Sequence, residues 1–256
     1  MKLNYKEFGH DQDKIVVILH GLLGSLDNWQ SLARRLSEKY HVITVDQRNH
    51  GKSPHDDSMS YELMAADIQE FLDGLNFPSV YLMGHSMGGK VAMQFALNYP
   101  DRVEKMIVVD VAPKAYGRGH DDVFSALFAV DLSTIKSRND ARSTMELFIH
   151  QEQVIQFLLK NLQRSKEGIW SWKPDIAVLY KFYNKIRGAI HCDWPFNNPV
   201  LFIKGGLSDY ITLEDEAAIS NTFPNSDLIT IPNTGHWVHA EAPEAFFEAL
   251  SQFLAR

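Results

Sequence analysis

Residues 80–92, Val-Tyr-Leu-Met-Gly-His-Ser-Met-Gly-Gly-Lys-Val-Ala, constrain the fold of this chain more than any other stretch. An apolar run turns sharply on Gly84-His85-Ser86-Met87-Gly88 and leaves on small residues at helical spacing. This is G-x-S-x-G between a strand and a helix. The glycines remove side chains that would collide across so tight a turn, and the serine is held with its hydroxyl out above the sheet. The helix beyond Ser86 aims its positive N-terminal end at the place where an oxyanion forms. Ser86 is therefore the candidate nucleophile.

The flanking chain supplies the sheet that such a turn requires. Ile15-Val16-Val17-Ile18-Leu19 is a continuous aliphatic run, suited to a strand covered by helices on both faces. It ends in His20-Gly21-Leu22-Leu23-Gly24. Further strands are predicted at Leu3–Phe8, His41–Asp46, Lys105–Val109, Val200–Lys204 and Leu228–Ile231, and helices at 28–38, 64–75, 213–223 and 243–254. Asp46 and Arg48 are expected to brace the loop 46–54 as a charged pair, and His50 is a candidate substrate contact there. From Pro113 to Trp194 the rhythm changes. No buried parallel strand is evident, and helical segments are predicted at 122–130, 139–150, 151–164 and 174–186. Aromatics are frequent, and some of them are expected to line an apolar pocket over Ser86, at the seam of two lobes. Tyr116, just beyond a strand end, is the leading candidate for such a contact.

A serine hydroxyl is a poor nucleophile at neutral pH, so a base must take its proton during attack. His236, in the Gly-His turn after the last strand, is the candidate; His239, three residues on, is a decoy, and His85 is expected to pack. The acid has two candidates. Asp209 follows the strand Val200–Lys204, and Asp110 ends the strand Lys105–Val109; either carboxylate can reach the imidazole from there, or simply cap a turn.

Composition narrows the function classes. The 256 residues suit one large α/β domain with an insertion. A net charge of −7 without any basic run argues against nucleic acid as a partner. The lone Cys192 forms no internal disulfide, and the N-terminus has no apolar leader; with no long apolar run to span a membrane, the expectation is a soluble cytoplasmic protein. There is no H-E-x-x-H and no Cys/His cluster at ligand spacing, so no metal and no cofactor are expected. Oligomeric state is open.

Five segments together resemble a known family: His-Gly-Leu-Leu-Gly-Ser-x-x-Asn-Trp (20–29), Asp-x-Arg-Asn-His-Gly-x-Ser-Pro (46–54), Gly-His-Ser-Met-Gly-Gly-Lys (84–90), Val-Asp-x-Ala-Pro (109–113) and Gly-His-Trp-Val-His (235–239). They are similar to the serine esterases of the α/β-hydrolase superfamily, in particular the YbfF-type bacterial esterases and their mitochondrial relatives. The resemblance covers nearly the whole chain and is weakest over the inserted segment. It implies an α/β-hydrolase fold, a mostly parallel central sheet flanked by helices; the change of pattern read above makes 113–194 the expected inserted helical cap and residues 1–112 and 195–256 the core domain. It implies an esterase or thioesterase acting on small acyl substrates of short or medium chain length, acyl-CoA included. The backbone N–H groups of Leu22 and Met87 would form the oxyanion hole. In this group the position matched by Asp209 is not reliably acidic while Gly-Gly-x-Ser-x-Tyr (205–210) persists, which favours Asp110 with Ser208 as a hydrogen-bonding helper; this chain keeps both aspartates. Two rival readings remain: a C–C bond hydrolase or lyase of the same architecture, and a catalytically weak receptor for a small ligand. An aspartate-nucleophile dehalogenase or epoxide hydrolase is disfavoured by Ser86.

Overall fold

The computed structural model describes residues 1–256. Seven strands form the central sheet: β1 (Tyr5–Phe8), β2 (Ile15–Leu19), β3 (His41–Val45), β4 (Val80–His85), β5 (Val103–Val109), then β8 (Val200–Gly205) and β9 (Ser226–Ile231), in the spatial order β1-β3-β2-β4-β5-β8-β9. Only β1 is antiparallel to its neighbour; all other pairings are parallel. Parallel pairing requires crossovers, and these put helices on both faces.

The side-chain alternation of the strands shows how the two faces are filled. Val16, Ile18, Tyr81, Met83, Ile107 and Val109 pack with α1 (Gln30–Leu36) and the terminal helix α11 (Pro243–Ala255). Val17, Leu19, Leu82, Met106 and Val108 pack with α2 (Tyr61–Gly74) and α3 (Met87–Asn98), and near β8 with the chain at Ile219 in α9 (Glu216–Thr222). A period of two therefore feeds two separate cores from one sheet.

Between β5 and β8 the chain leaves the sheet. It forms α4 (Asp121–Ala129), α5 (Arg138–Met145), α6 (Glu152–Leu159), an antiparallel hairpin β6–β7 (Leu162–Arg164, Trp170–Trp172), α7 (Ile176–Lys181) and α8 (Tyr183–Ile186). Their apolar faces, through residues such as Phe124, Met145, Leu158 and Leu179, join the core on the α2/α3 side. The single helix predicted over 151–164 is thus shorter than expected. It ends at Leu159 because Asn161, buried, donates its amide to Leu23 O at 2.6 Å while its carbonyl accepts Lys173 N–H. The helix predicted over 174–186 is likewise broken, at Phe182.

Every parallel strand points its C-terminal end toward the same edge, where Ser86, Asp110 and His236 all lie. This edge is the general ligand-binding side of open α/β sheets.

Candidate active site

Ser86 sits between β4 and α3 at φ 52°, ψ −119°, a backbone region that non-glycine residues rarely occupy. Its neighbours make that possible. A Cβ on Gly84 would lie 2.1 Å from Gly88 O, and one on Gly88 2.6 Å from the carbonyls of Leu19 and His20. The elbow is pinned to the adjacent strand by Ser86 N–H to Val109 O at 2.9 Å.

His236 arrives from the loop after β9. Its Nδ1 lies 2.7 Å from Asp110 Oδ2 and its Nε2 lies 2.9 Å from Ser86 Oγ. An ionised carboxylate only accepts hydrogen bonds, so Nδ1 carries the proton and Nε2 accepts from the serine hydroxyl. Asp110 has no solvent exposure and, like Ser86, a positive φ, 51°. Its carboxylate also accepts Gly205 N–H at 2.9 Å and the Ser208 hydroxyl. Three donors converge on a buried charge, which offsets much of its lost hydration. Asp209 is elsewhere: its side chain is exposed and the imidazole's hydrogen bonds run to Ser86 and Asp110 instead. The strand end of β8 thus reaches the histidine's partner through Ser208 and Gly205 rather than through Asp209.

One residue absent from the sequence reading is prominent here. Tyr210 lies flat on His236, ring centroids 3.8 Å apart and planes 17° apart. Its carbonyl accepts the Tyr116 hydroxyl at 2.7 Å, and that same hydroxyl oxygen accepts Ala112 N–H. Tyr116 is therefore not a wall of the cavity, as the sequence suggested, but the brace behind Tyr210. The motif Gly-Gly-x-Ser-x-Tyr held Tyr210 in view, and only the stacking reveals what it touches.

The loop 20–24 faces the elbow. Leu22 N–H has no turn or loop hydrogen-bond partner, and the N–H groups of the first helical turn, that of Met87 included, lack intrahelical acceptors. Two buried histidines shape this loop. His50 Nε2 accepts Leu23 N–H at 3.1 Å while its Nδ1–H donates to Arg48 O. His20 donates Nδ1–H to Gly21 O and accepts Gln47 N–H at Nε2. With both ring nitrogens used and no exposure, His50 is no substrate contact; it is a brace. Burial holds both rings neutral, lowering His20 to about 4 and His50 to about 3. The expected Asp46–Arg48 pair is also replaced: Arg48 grips Asp67, Nη2 to Oδ1 at 2.9 Å, while Asp46 accepts the N–H groups of Leu26 and Lys52. Asp67 projects from α2 straight at the guanidinium, which a local reading of 46–54 does not see.

His85 packs, as expected, with Nε2–H donating to His236 O at 2.9 Å. His239 stacks on Trp29, centroids 4.1 Å apart, and burial lowers its pKa to about 3.

A cavity of about 1120 Å3 opens over Ser86 and His236, with Leu22, Tyr210, Trp237 and the cap residues His120, Val123, Val154 and Phe157 in its walls. Of the Phe, Tyr and Trp side chains between 113 and 194, Phe157 alone lines it; the others pack within the cap or face the outer surface. The rest of the cap wall is mostly polar, with Asp122, Gln151, Glu152, Gln153, Gln156 and Lys160 beside Leu158.

A family profile described as alpha/beta hydrolase fold matches residues 14–243. The chain is 38% identical to esterase YbfF of Escherichia coli K12 over 263 residues, covering 99% of each chain. It is also 38% identical to the sn-1-specific diacylglycerol lipase ABHD11 of Mus musculus over 248 residues, 94% of this chain and 80% of that one. A solved structure described as a marine microorganism esterase superposes with a TM-score of 0.96 at 42% identity, covering 99% of both chains. The nucleophile elbow, the parallel sheet that presents it and these similarities converge: the chain belongs to the α/β-hydrolase fold family, among its carboxylic-ester hydrolases.

Proposed function

We propose that the protein hydrolyses carboxylic esters and thioesters of short or medium acyl chains, acyl-CoA included, through an acyl-enzyme on Ser86. The observation that carries this reading is the hydrogen-bond relay from Ser86 Oγ through His236 to Asp110, 2.9 and 2.7 Å long, at the floor of one cavity. Ser86 Oγ attacks the acyl carbon as His236 Nε2 takes its proton. Asp110 holds the imidazole in the required tautomer and stabilises the imidazolium. The N–H groups of Leu22 and Met87 receive the negative charge that develops on the acyl oxygen. His236 then gives its proton to the departing alcohol or thiol. A water, deprotonated by the same nitrogen, attacks the acyl-enzyme and releases the acid and free Ser86.

The cavity slightly exceeds the usual range for small-molecule sites, about 300–1,000 Å3, which supports room for an acyl chain beyond acetate. No helix is long and apolar enough to cross a membrane. We also assign it to the cytoplasm, on the lone exposed thiol of Cys192.

The test is hydrolysis of p-nitrophenyl esters from acetate to laurate, and of acyl-CoA of matching lengths, by the wild type and by Ser86→Ala. Turnover that depends on chain length and falls by about 10^4-fold or more in the variant is the expected result. Turnover that survives in Ser86→Ala overturns the nucleophile assignment. A folded wild type that cleaves no ester overturns the reading itself.

A further inference from the structure

Lys90 is a lysine where an aliphatic residue would be the cheaper choice. It lies on α3, four residues after the nucleophile, and is 2% exposed. Burying an ammonium is costly unless its donors are all used. The carbonyls around it come from the two segments that tie the cap to the sheet domain. Lys90 Nζ donates to Lys114 O at 2.7 Å on the incoming segment, and to Gly188 O and Arg187 O (3.5 Å) on the outgoing one. The two segments are also laced to each other: Tyr116 N–H to Arg187 O and Ile190 N–H to Pro113 O, both at 2.8 Å. Tyr61 on α2 donates its hydroxyl to Ile186 O beside them. The Lys90 ammonium sits 4.6 Å from the centre of the Tyr116 ring, the residue that holds Tyr210 against His236.

We propose that Lys90 is a positioning residue that clasps both ends of the cap to the nucleophile helix, and thereby sets the cap wall of the acyl cavity. The geometry has a direct consequence. The clasp and the nucleophile share one helix, so this side chain ties both connecting segments of the cap directly to the helix that carries Ser86. Substrates that use the cap wall depend on it, and substrates that fit against the strand tips alone do not.

The test compares wild type, Lys90→Met, which keeps the stem and removes the donors, and Lys90→Gln, which keeps two donors. Burial, then Lys114, lowers the Lys90 pKa to about 7, so the comparison is made near pH 6, where all three donors are present. Two readouts are taken. The kinetic one rests on the ester-hydrolase reading: KM for p-nitrophenyl laurate rises by about ten-fold in Lys90→Met, the size expected for losing one charged hydrogen bond, while kcat on p-nitrophenyl acetate stays within about two-fold. The other is independent of any activity: amide hydrogen exchange at Tyr116 and Ile190 speeds by about ten-fold or more in Lys90→Met and by less in Lys90→Gln. Unchanged exchange at these two amides overturns the clasp, whatever the kinetics. An equal loss of kcat on both esters also overturns it, because Lys90 would then support the elbow and not the cap. Should Lys90→Met fail to fold, Lys90→Gln carries the same comparison.

Discussion

The strand tips and the cap form opposite walls of one cavity, and they are held by different means. At the strand tips the polar groups are enclosed and paired: Asp110 takes three donors, and His20 and His50 use both ring nitrogens on backbone groups of neighbouring loops. Non-glycine residues in the loops leaving these strand ends, Ser86, Asp110 and Leu23 among them, are kept at positive φ. The cap is built of short helices and one small hairpin, and keeps large apolar side chains such as Leu147, Phe128 and Ile169 in solvent. Strain of about 1–3 kcal/mol per residue persists only where the surroundings over-determine the backbone. The strand tips meet that condition because four neighbouring parallel strands, β2, β4, β5 and β8, end together there. On the function proposed above, the difference separates chemistry from selectivity: reacting groups on the rigid wall, acyl-chain fit on the wall carried by the two connecting segments.

Asp110→Asn and Asp209→Asn give the sharpest contrast, although both residues follow core strands. The first is expected to lower kcat by about 10^4-fold, since an amide at that position favours the wrong imidazole tautomer. The second is expected to change kcat by less than about two-fold, because Asp209 is exposed. Equal effects in the ester assay would break the division between buried relay and surface.

Next come two glycines, read by urea unfolding. Gly84→Ala drives a Cβ to within 2.1 Å of Gly88 O, a backbone atom that cannot swing away. A loss of more than about 4 kcal/mol is expected. A Cβ on Gly117, on the incoming cap segment, would meet no atom within 4 Å. Gly117→Ala is expected to be neutral or to stabilise by up to about 1 kcal/mol through the unfolded chain. If Gly84→Ala proved mild, the elbow would be softer than its packing indicates.

Acid should undo the strand tips before the chemistry of the fold itself fails. His50 has a folded pKa of about 3, below its unfolded value of 6.5. Between those values the unfolded chain binds more protons, so stability is full above about pH 6.5 and falls as pH is lowered through that window. At about pH 5 the loss from one such histidine is about 2 kcal/mol. His50→Gln, which keeps an acceptor for Leu23 N–H, should therefore reduce the difference in unfolding free energy between pH 7 and pH 5 by about that amount. An unchanged pH slope would show that His50 is protonated in place.

A more modest effect is expected in the cap wall. Phe157 faces the cavity, its ring 5.5 Å from that of Trp237. Phe157→Ala is expected to raise KM for laurate esters by about five-fold, roughly 1 kcal/mol, with acetate esters little changed. A matching loss on acetate would move Phe157 from chain-length fit to the reacting centre.

Much of the strand-tip wall was legible in the chain itself, because its signals are local. A strand that must turn within five residues needs Gly84 and Gly88, and a buried parallel strand announces itself as a run like Ile15–Leu19. The order of Ser86 and His236 is readable for the same reason, whereas the role of Ser208 is implied only by the family resemblance. The choice between Asp110 and Asp209 is not local. Each ends or follows a strand, and only the registration of β5 between β4 and β8 turns one carboxylate under the imidazole and leaves the other in solvent. The partners of His50, Tyr116 and Arg48 are out of local reach for the same reason: Leu23, Tyr210 and Asp67 lie 27, 94 and 19 residues away. The cap shows the limit most plainly: a helix-forming sequence at 151–164 yields to one amide, Asn161, reaching 138 residues back to Leu23. Local sequence determines where the backbone can turn and which faces are apolar; which polar groups meet is decided by the packing of distant segments, and hydrogen bonds reward that meeting only once it has been made.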